Sequence, residues 1–214
     1  MTITHHPDIA TLMAFSAGAL EEPYAAVIAT HLAMSEGGRE TVRHMTTIGG
    51  ALLQNEPAAK LSDNALDRLM GKLGDDDRIE IAPRPESDVP LPLQTYLPKG
   101  LGSVRWKWTG PGVATADLAW GRDGRSRLML LRVAAGRRVP EHGHGGQELT
   151  LILQGAYRDR FGVFAVGDIA DHDEDIEHQP IAEPGDDCIC LVAVDAKLTF
   201  QGRLMRALQP FFGI

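Results

Sequence analysis

Residues 82–98 read APRPESDVPLPLQTYLP, and the five prolines in that run divide the chain into two stretches with different hydrophobic periods. Proline lacks the amide proton that a helix interior or a central strand needs, so neither can cross the run. Before it the period is helical. Ile9, Leu12, Met13 and Leu20 follow the spacing of one helix face, and Glu21-Glu22-Pro23 supplies a start signal for the stretch YAAVIATHL that opens at Tyr24. A third helix is expected over Glu40–Leu53. A fourth, capped by Ser62 or Asp63, carries Leu66, Leu69, Met70 and Leu73 as one apolar stripe, suited either to core packing or to docking on a partner. Beyond the prolines the period falls to two. Ser103–Trp108, Val113–Trp120, Arg127–Val133, Glu148–Leu153, Phe161–Val166 and Asp187–Val194 read as strands separated by Gly, Pro or Asp clusters. Strands in succession without intervening helices predict a sandwich or a closed barrel. The expected fold is a small all-α bundle of four helices over residues 1–82, a proline-rich linker over 83–98 and an all-β unit over 99–214.

The chain of 214 residues has no apolar run long enough to span a bilayer, and MTITHHPDIATLMAF lacks a basic leader and a small-residue cleavage site. A cytoplasmic protein with no membrane association is expected. The net charge of −8 is unevenly placed: residues 1–90 hold 7 Lys+Arg against 14 Asp+Glu, and residues 91–214 hold 14 against 15. An acidic helical half repels nucleic acid and attracts a basic protein surface. Cys188 and Cys190 alternate along one strand, as two small buried thiols would.

The stretch HGHGGQELTLILQG, residues 142–155, places ligand-type side chains where a strand buries them. His142 and His144 share a strand face, Glu148 has the same parity after Gly145-Gly146, and His178 on a later strand is the fourth candidate. Buried imidazoles and carboxylates need a hydrogen bond, a partner charge or a metal to replace lost hydration. Gly136, His142-x-His144, Glu148 and Gly155 resemble the first cupin motif at every spacing. Gly167 and His178 match the second, although Asp173, Asp175 and Ala182 replace its usual Pro, Gly and Asn. The cupin resemblance implies a small antiparallel β-barrel holding one metal through His142, His144, Glu148 and His178. Imidazole and carboxylate donors suit zinc and also Mn, Fe or Ni.

The whole chain is similar to a narrower group. THHPD, the ATHLAMS helix, the proline-rich run, RWKW, EHGHGGQELTLILQG, GDDCICLVA and the C-terminal LQPFFGI resemble the ChrR family of zinc-binding anti-sigma factors. That resemblance implies helices that sequester an extracytoplasmic-function (ECF) sigma factor and a cupin unit needed for its release under singlet-oxygen or peroxide stress. Zinc at the cupin site, one per chain, is the expected cofactor. No direct nucleic-acid binding is expected, and pairing through the cupin unit into a homodimer is left open. The family also binds zinc through an early His and a His-x3-Cys-x2-Cys helix, and the matching positions here are His6, His31, Ser35 and Gly38. Two thiolates are absent, by natural divergence or by alteration, so His6 and His31 form at most the remnant of a tetrahedral site. Substitution by His5, Glu36, Glu40 or His44 fits no usual ligand spacing.

Plainer roles are expected for the other singled-out residues: solvated His44 and His172, His5 in a disordered terminus, Trp106 and Trp108 packing on one strand face, and a solvated acidic loop over 171–177. The alternative function is a metal-dependent cupin enzyme, a dioxygenase or isomerase, with a helical dimerisation appendage. A separate acidic helical half favours the regulator, since an enzyme has no need of it.

Overall fold

The computed structural model describes residues 2–73, 87–122, 124–143, 145–173, 175–195 and 199–200. Four helices come first: α1 (Ile9–Ser16), α2 (Glu22–Met34), α3 (Glu36–Gln54) and α4 (Ala65–Lys72). α2 begins with Pro23 in its first turn, where the missing amide proton costs nothing. It ends at Ser35, whose extended backbone breaks the helix and starts the next. The Ser35 hydroxyl accepts the Gly38 amide at 3.1 Å, which caps α3 and explains why that helix begins four residues before the expected Glu40. α4 begins at Ala65, later than Ser62 or Asp63, because the Ala65 amide closes a tight turn on the Ser62 carbonyl at 2.9 Å.

The strands are β1 (Lys107–Gly110), β2 (Val113–Trp120), β3 (Arg127–Val133), β4 (His142–Gly143), β5 (Glu148–Gln154), β6 (Ala156–Asp159), β7 (Gly162–Ala165), β8 (Ile169–His172), β9 (Glu177–His178), β10 (Ile181–Ala182), β11 (Cys188–Val194) and β12 (Thr199–Phe200). They form a six-stranded sheet ordered β1-β2-β3-β11-β5-β8 and two three-stranded sheets, β10-β6-β7 and β12-β4-β9. The expected closed ring is therefore seen, among the described residues, as three hydrogen-bonded sheets, because the strands that carry the histidines pair over only two residues each. The first expected strand also moves. Residues Leu101–Ser103 form a 3-10 turn, held by the Ser103 hydroxyl on the Gly100 carbonyl at 2.8 Å, and pairing starts only at Lys107. Trp106 packs on the core below Arg132, while Trp108 is 62% exposed, so the two do not share a packing role.

The six-stranded sheet is covered on both faces. Leu128 and Leu130 of β3, Leu149 and Leu151 of β5, and Leu191 of β11 meet Tyr24, Val27, Ile28 and Leu32 of α2 in one core. The alternate residues, among them Met129, Val133, Ile152, Cys188, Cys190 and Val192, face inward and form a second core with Tyr157 and Phe164. Burial on both faces is why β11 reads as an unbroken apolar run. The prolines do not make a free spacer: Val89, Leu93 and Leu97 are buried with α2, around a 3-10 turn at Leu91–Thr95. Outside this core, α3 buries only Gly38 and α4 buries nothing. Ile48, Leu52, Leu53, Leu61, Leu66, Leu69, Met70 and Leu73 all lie exposed.

Candidate metal centre and the seam between the helices and the sheet

His142 on β4 and His178 on β9 are direct cross-strand partners, and Glu148 opens β5 opposite His172 of β8. All four side chains are buried. His144 lies outside the described residues, so its expected place in the cluster carries no geometry. The His142 Nδ1–H donates to the Pro140 carbonyl at 2.8 Å, and the His178 Nδ1–H donates to Asp159 Oδ2 at 3.1 Å. These acceptors orient both rings and turn their Nε2 atoms toward each other. The two Nε2 atoms are 3.2 Å apart. Two imidazoles on one tetrahedral metal, with bonds of about 2.0–2.1 Å, would stand about 3.3–3.4 Å apart. The pair thus has the separation expected of two ligands on a shared cation. Glu148 adds a carboxylate, oriented by the Thr150 hydroxyl at 2.9 Å.

Two residues of this centre escaped the sequence reading. Asp159 has a fully enclosed side chain. Burial pushes its carboxyl up, yet the His178 ring N–H and the Phe161 amide at 2.8 Å outweigh that effect and hold it below its ordinary value. His172, expected in solvent, is buried with its ring edge-on to His178 at 4.7 Å, because β8 continues one residue past Asp171 and turns that side chain inward. Asp159, His172 and His178 offer donor atoms within 4.8 Å of one another. An Asp followed by turn residues gives no sign in sequence of reaching a histidine 19 positions on. Replacing Asp159 by Asn should release the His178 tautomer and weaken metal binding by about 10–100-fold, read by competition with a chromophoric chelator.

A second cluster lies where the helices meet the sheet. Gly167, at φ +91°, makes a turn whose carbonyl accepts the His31 Nδ1–H at 2.9 Å; a Cβ there would collide with Ile3. The next residue, Asp168, is buried and accepts the amides of Thr4 at 2.7 Å, His5 at 2.9 Å and Ala165 at 2.9 Å. Burial raises its carboxyl, and the three amides more than compensate. Three residues on, Asp171 accepts the Thr11 hydroxyl at 2.6 Å, the Asp8 amide at 3.1 Å and the Gln147 side-chain amide at 3.1 Å. His5, expected to be disordered, stacks on Phe164 at 4.1 Å, and the start of the supposed solvated acidic loop anchors α1.

His6 and His31 do meet, with ring centroids 5.7 Å apart. His31 is wholly buried, and its Nε2 has no hydrogen-bond partner among the described residues. Ser35 donates its amide to the His31 carbonyl at 2.8 Å, but its hydroxyl is committed to the cap of α3 and Gly38 brings no donor. These four residues do not make a tetrahedral zinc site. Burial lowers the His31 pKa from 6.5 to about 4, against the opposing bond to Gly167. The unfolded ring takes a proton below about 6.5 and the folded ring only near 4, so the stability tied to neutral His31 is complete above pH 6.5. It falls by about 3 kcal/mol as the pH drops toward 4. Urea unfolding of the metal-free chain at pH 7.5 and pH 4.5, beside His31→Gln, should show that loss in the parent only.

Residues 100–197 match the family described as ChrR Cupin-like domain. Over its full length the chain is 42% identical to the anti-sigma-E factor ChrR of Cereibacter sphaeroides, the whole of which is covered. It also superposes, with a TM-score of 0.80 and 40% identity over 91% of its residues and all of the other chain, on a solved structure of Rhodobacter sphaeroides SigE in complex with the anti-sigma ChrR. The sequence agrees along the entire length and the fold over 91% of the residues, and the chain belongs to the ChrR family.

Proposed function

We propose that this chain is a cytoplasmic anti-sigma factor, not an enzyme, which holds an ECF sigma factor with its helices and releases it when oxidative stress alters the metal centre. The full-length similarity to an anti-sigma-E factor ChrR and to a ChrR solved in complex with SigE carries this reading. The exposed apolar side chains of α3 and α4 support it, since a stripe of Leu66, Leu69, Met70 and Leu73 on a helix that buries nothing is a surface awaiting a partner. No helix among the described residues is long and apolar enough to cross a membrane.

Zinc is the metal proposed for the site, with His142, His144, Glu148 and His178 as ligands in a cupin barrel. When bound it supplies a Lewis-acidic centre that fixes these side chains. The chain's own route from that centre to the helices is short. On β8, His172 faces the site while its neighbour Asp171 holds the start of α1, so a shift of β8 at one residue moves the anchor at the next. The test is co-elution of the full chain with a basic ECF sigma factor as a 1:1 complex that peroxide or singlet oxygen dissociates. Asp171→Ala should retain capture and blunt release. Failure of the parent chain to retain a cognate sigma factor at low salt would overturn the proposal.

A further inference from the structure

We infer that the Gly167-Asp168 turn of the β unit replaces, in this chain, the helical zinc that the family resemblance implies: the helices need no metal of their own and are held by the sheet instead. A zinc on residues 6, 31, 35 and 38 would join three pieces, namely the segment before α1, the body of α2 and the junction of α2 with α3. The side chains do not fit that ion, because the Ser35 hydroxyl is committed to the cap of α3 and Gly38 has no donor. Each of the three pieces is nevertheless tied.

The segment before α1 is tied to a buried carboxylate. Asp168 Oδ1 accepts the amides of Thr4 at 2.7 Å and His5 at 2.9 Å, while Oδ2 is held by the Ala165 amide at 2.9 Å. Bonds to an ionised acceptor are stronger than those between neutral groups. The Ile169 amide donates in turn to the His5 carbonyl at 3.3 Å, so the segment is bonded to β8 in both directions. α2 is tied one residue earlier on the same turn, where the Gly167 carbonyl accepts the His31 Nδ1–H at 2.9 Å. The junction is tied within itself: the Gly38 amide donates to the Ser35 hydroxyl, and the Arg39 guanidinium reaches back to the Leu32 carbonyl at 2.7 Å. The turn that receives the first two ties is fixed to β5. Gly167 donates its amide to the Ile152 carbonyl at 3.0 Å, and Ile152 donates its own to the Asp168 carbonyl at 3.0 Å. Two adjacent residues thus present a carboxylate and a carbonyl as acceptors for two separate pieces of the helical unit.

The helices do not supply such ties by packing on one another. Among the described residues α1 buries only Thr11 and Leu12, α3 buries only Gly38 and α4 buries nothing. The apolar side chains of α2 share their core with leucines of the sheet. A unit with so little core of its own depends on its crosslinks, and here they run to the β unit.

The inference concerns the fold of the helices and does not rest on capture of a sigma factor, so its test uses no partner. Hydrogen exchange of the metal-loaded full-length protein is read by mass spectrometry beside three variants. Asp168→Asn should speed exchange across α1 by about tenfold or more at unchanged zinc per chain, because α1 then opens against fewer bonds. Deletion of residues 2–5, which leaves the turn itself untouched, should do the same. His6→Ala should leave both the zinc count and the exchange of α2 as in the parent. Undiminished protection of α1 in either of the first two variants, or loss of a zinc with His6→Ala, would overturn the inference.

Discussion

Exchange of Leu66, Leu69, Met70 and Leu73 for serine is expected to weaken capture of the sigma factor by about three orders of magnitude while leaving the protein folded and its metal content unchanged. The side chains are 57–70% exposed and belong to a helix that buries nothing, so their loss removes little from the stability of the free chain. In a complex each would bury part of its apolar surface, worth about 1 kcal/mol, and a combined loss near 4 kcal/mol corresponds to about a thousandfold. Salt should act differently. Raising ionic strength screens the acidic half and slows association, whereas the apolar contribution persists, so the serine variant loses at high salt what the parent keeps. Unaltered affinity of the variant in a pull-down with the cognate sigma factor would place the contact elsewhere on the helices.

The second large effect is expected at positions 35 and 38. Ser35→Cys with Gly38→Cys should give the chain a second tightly held zinc, because the surroundings still converge. A Cβ built at Gly38 falls 3.1 Å from the Ser35 hydroxyl, and the buried Nε2 of His31 faces no hydrogen-bond partner among the described residues. The bond from Nδ1 to Gly167 already fixes the tautomer a metal requires. Against this stand the loss of the Ser35 cap, about 1 kcal/mol, and the approach of the new Cβ to Leu32 at 3.0 Å, which that flexible side chain must yield to. A structural zinc contributes apparent binding energy of order 10 kcal/mol, so the metal outweighs both costs. Elemental analysis should rise from about one metal per chain to two, with thermal stability newly sensitive to a chelator. An unchanged metal count would show that His6 cannot close the site.

The sequence made four helices, the period change at the prolines and the longer strands legible, because amphipathic period is a local property, whereas short strands such as β4, β8 and β9 carry too few residues to show one. Spacing likewise brought out His142, Glu148 and His178, since strand parity decides which residues share a face. What it could not show was which surface covers which. Val27 and Ile28 of α2 read as an ordinary helix stripe, yet they are buried against Leu130, Leu149 and Leu191 of the sheet, and Leu93 inside the proline run joins them. Asp159, His172 and Asp171 were missed for the same reason. Their importance comes from partners brought near by hairpins and by the docking of α1, and an acidic residue in a polar loop carries no mark of such a partner.

The cap at Ser35 bears on how such a regulator would meet metal starvation. α3 begins on a hydroxyl that the chain itself supplies, and the neighbouring histidine is held by a backbone carbonyl from the sheet. Nothing in that corner must be imported. If the β unit's centre holds zinc as proposed, a cell short of that ion would empty that centre, and the helices would keep their shape. The fold of the capturing helices would then not depend on the ion, and any effect of its scarcity on a partner would have to pass through the β unit, by way of β8 and the Asp171 anchor of α1.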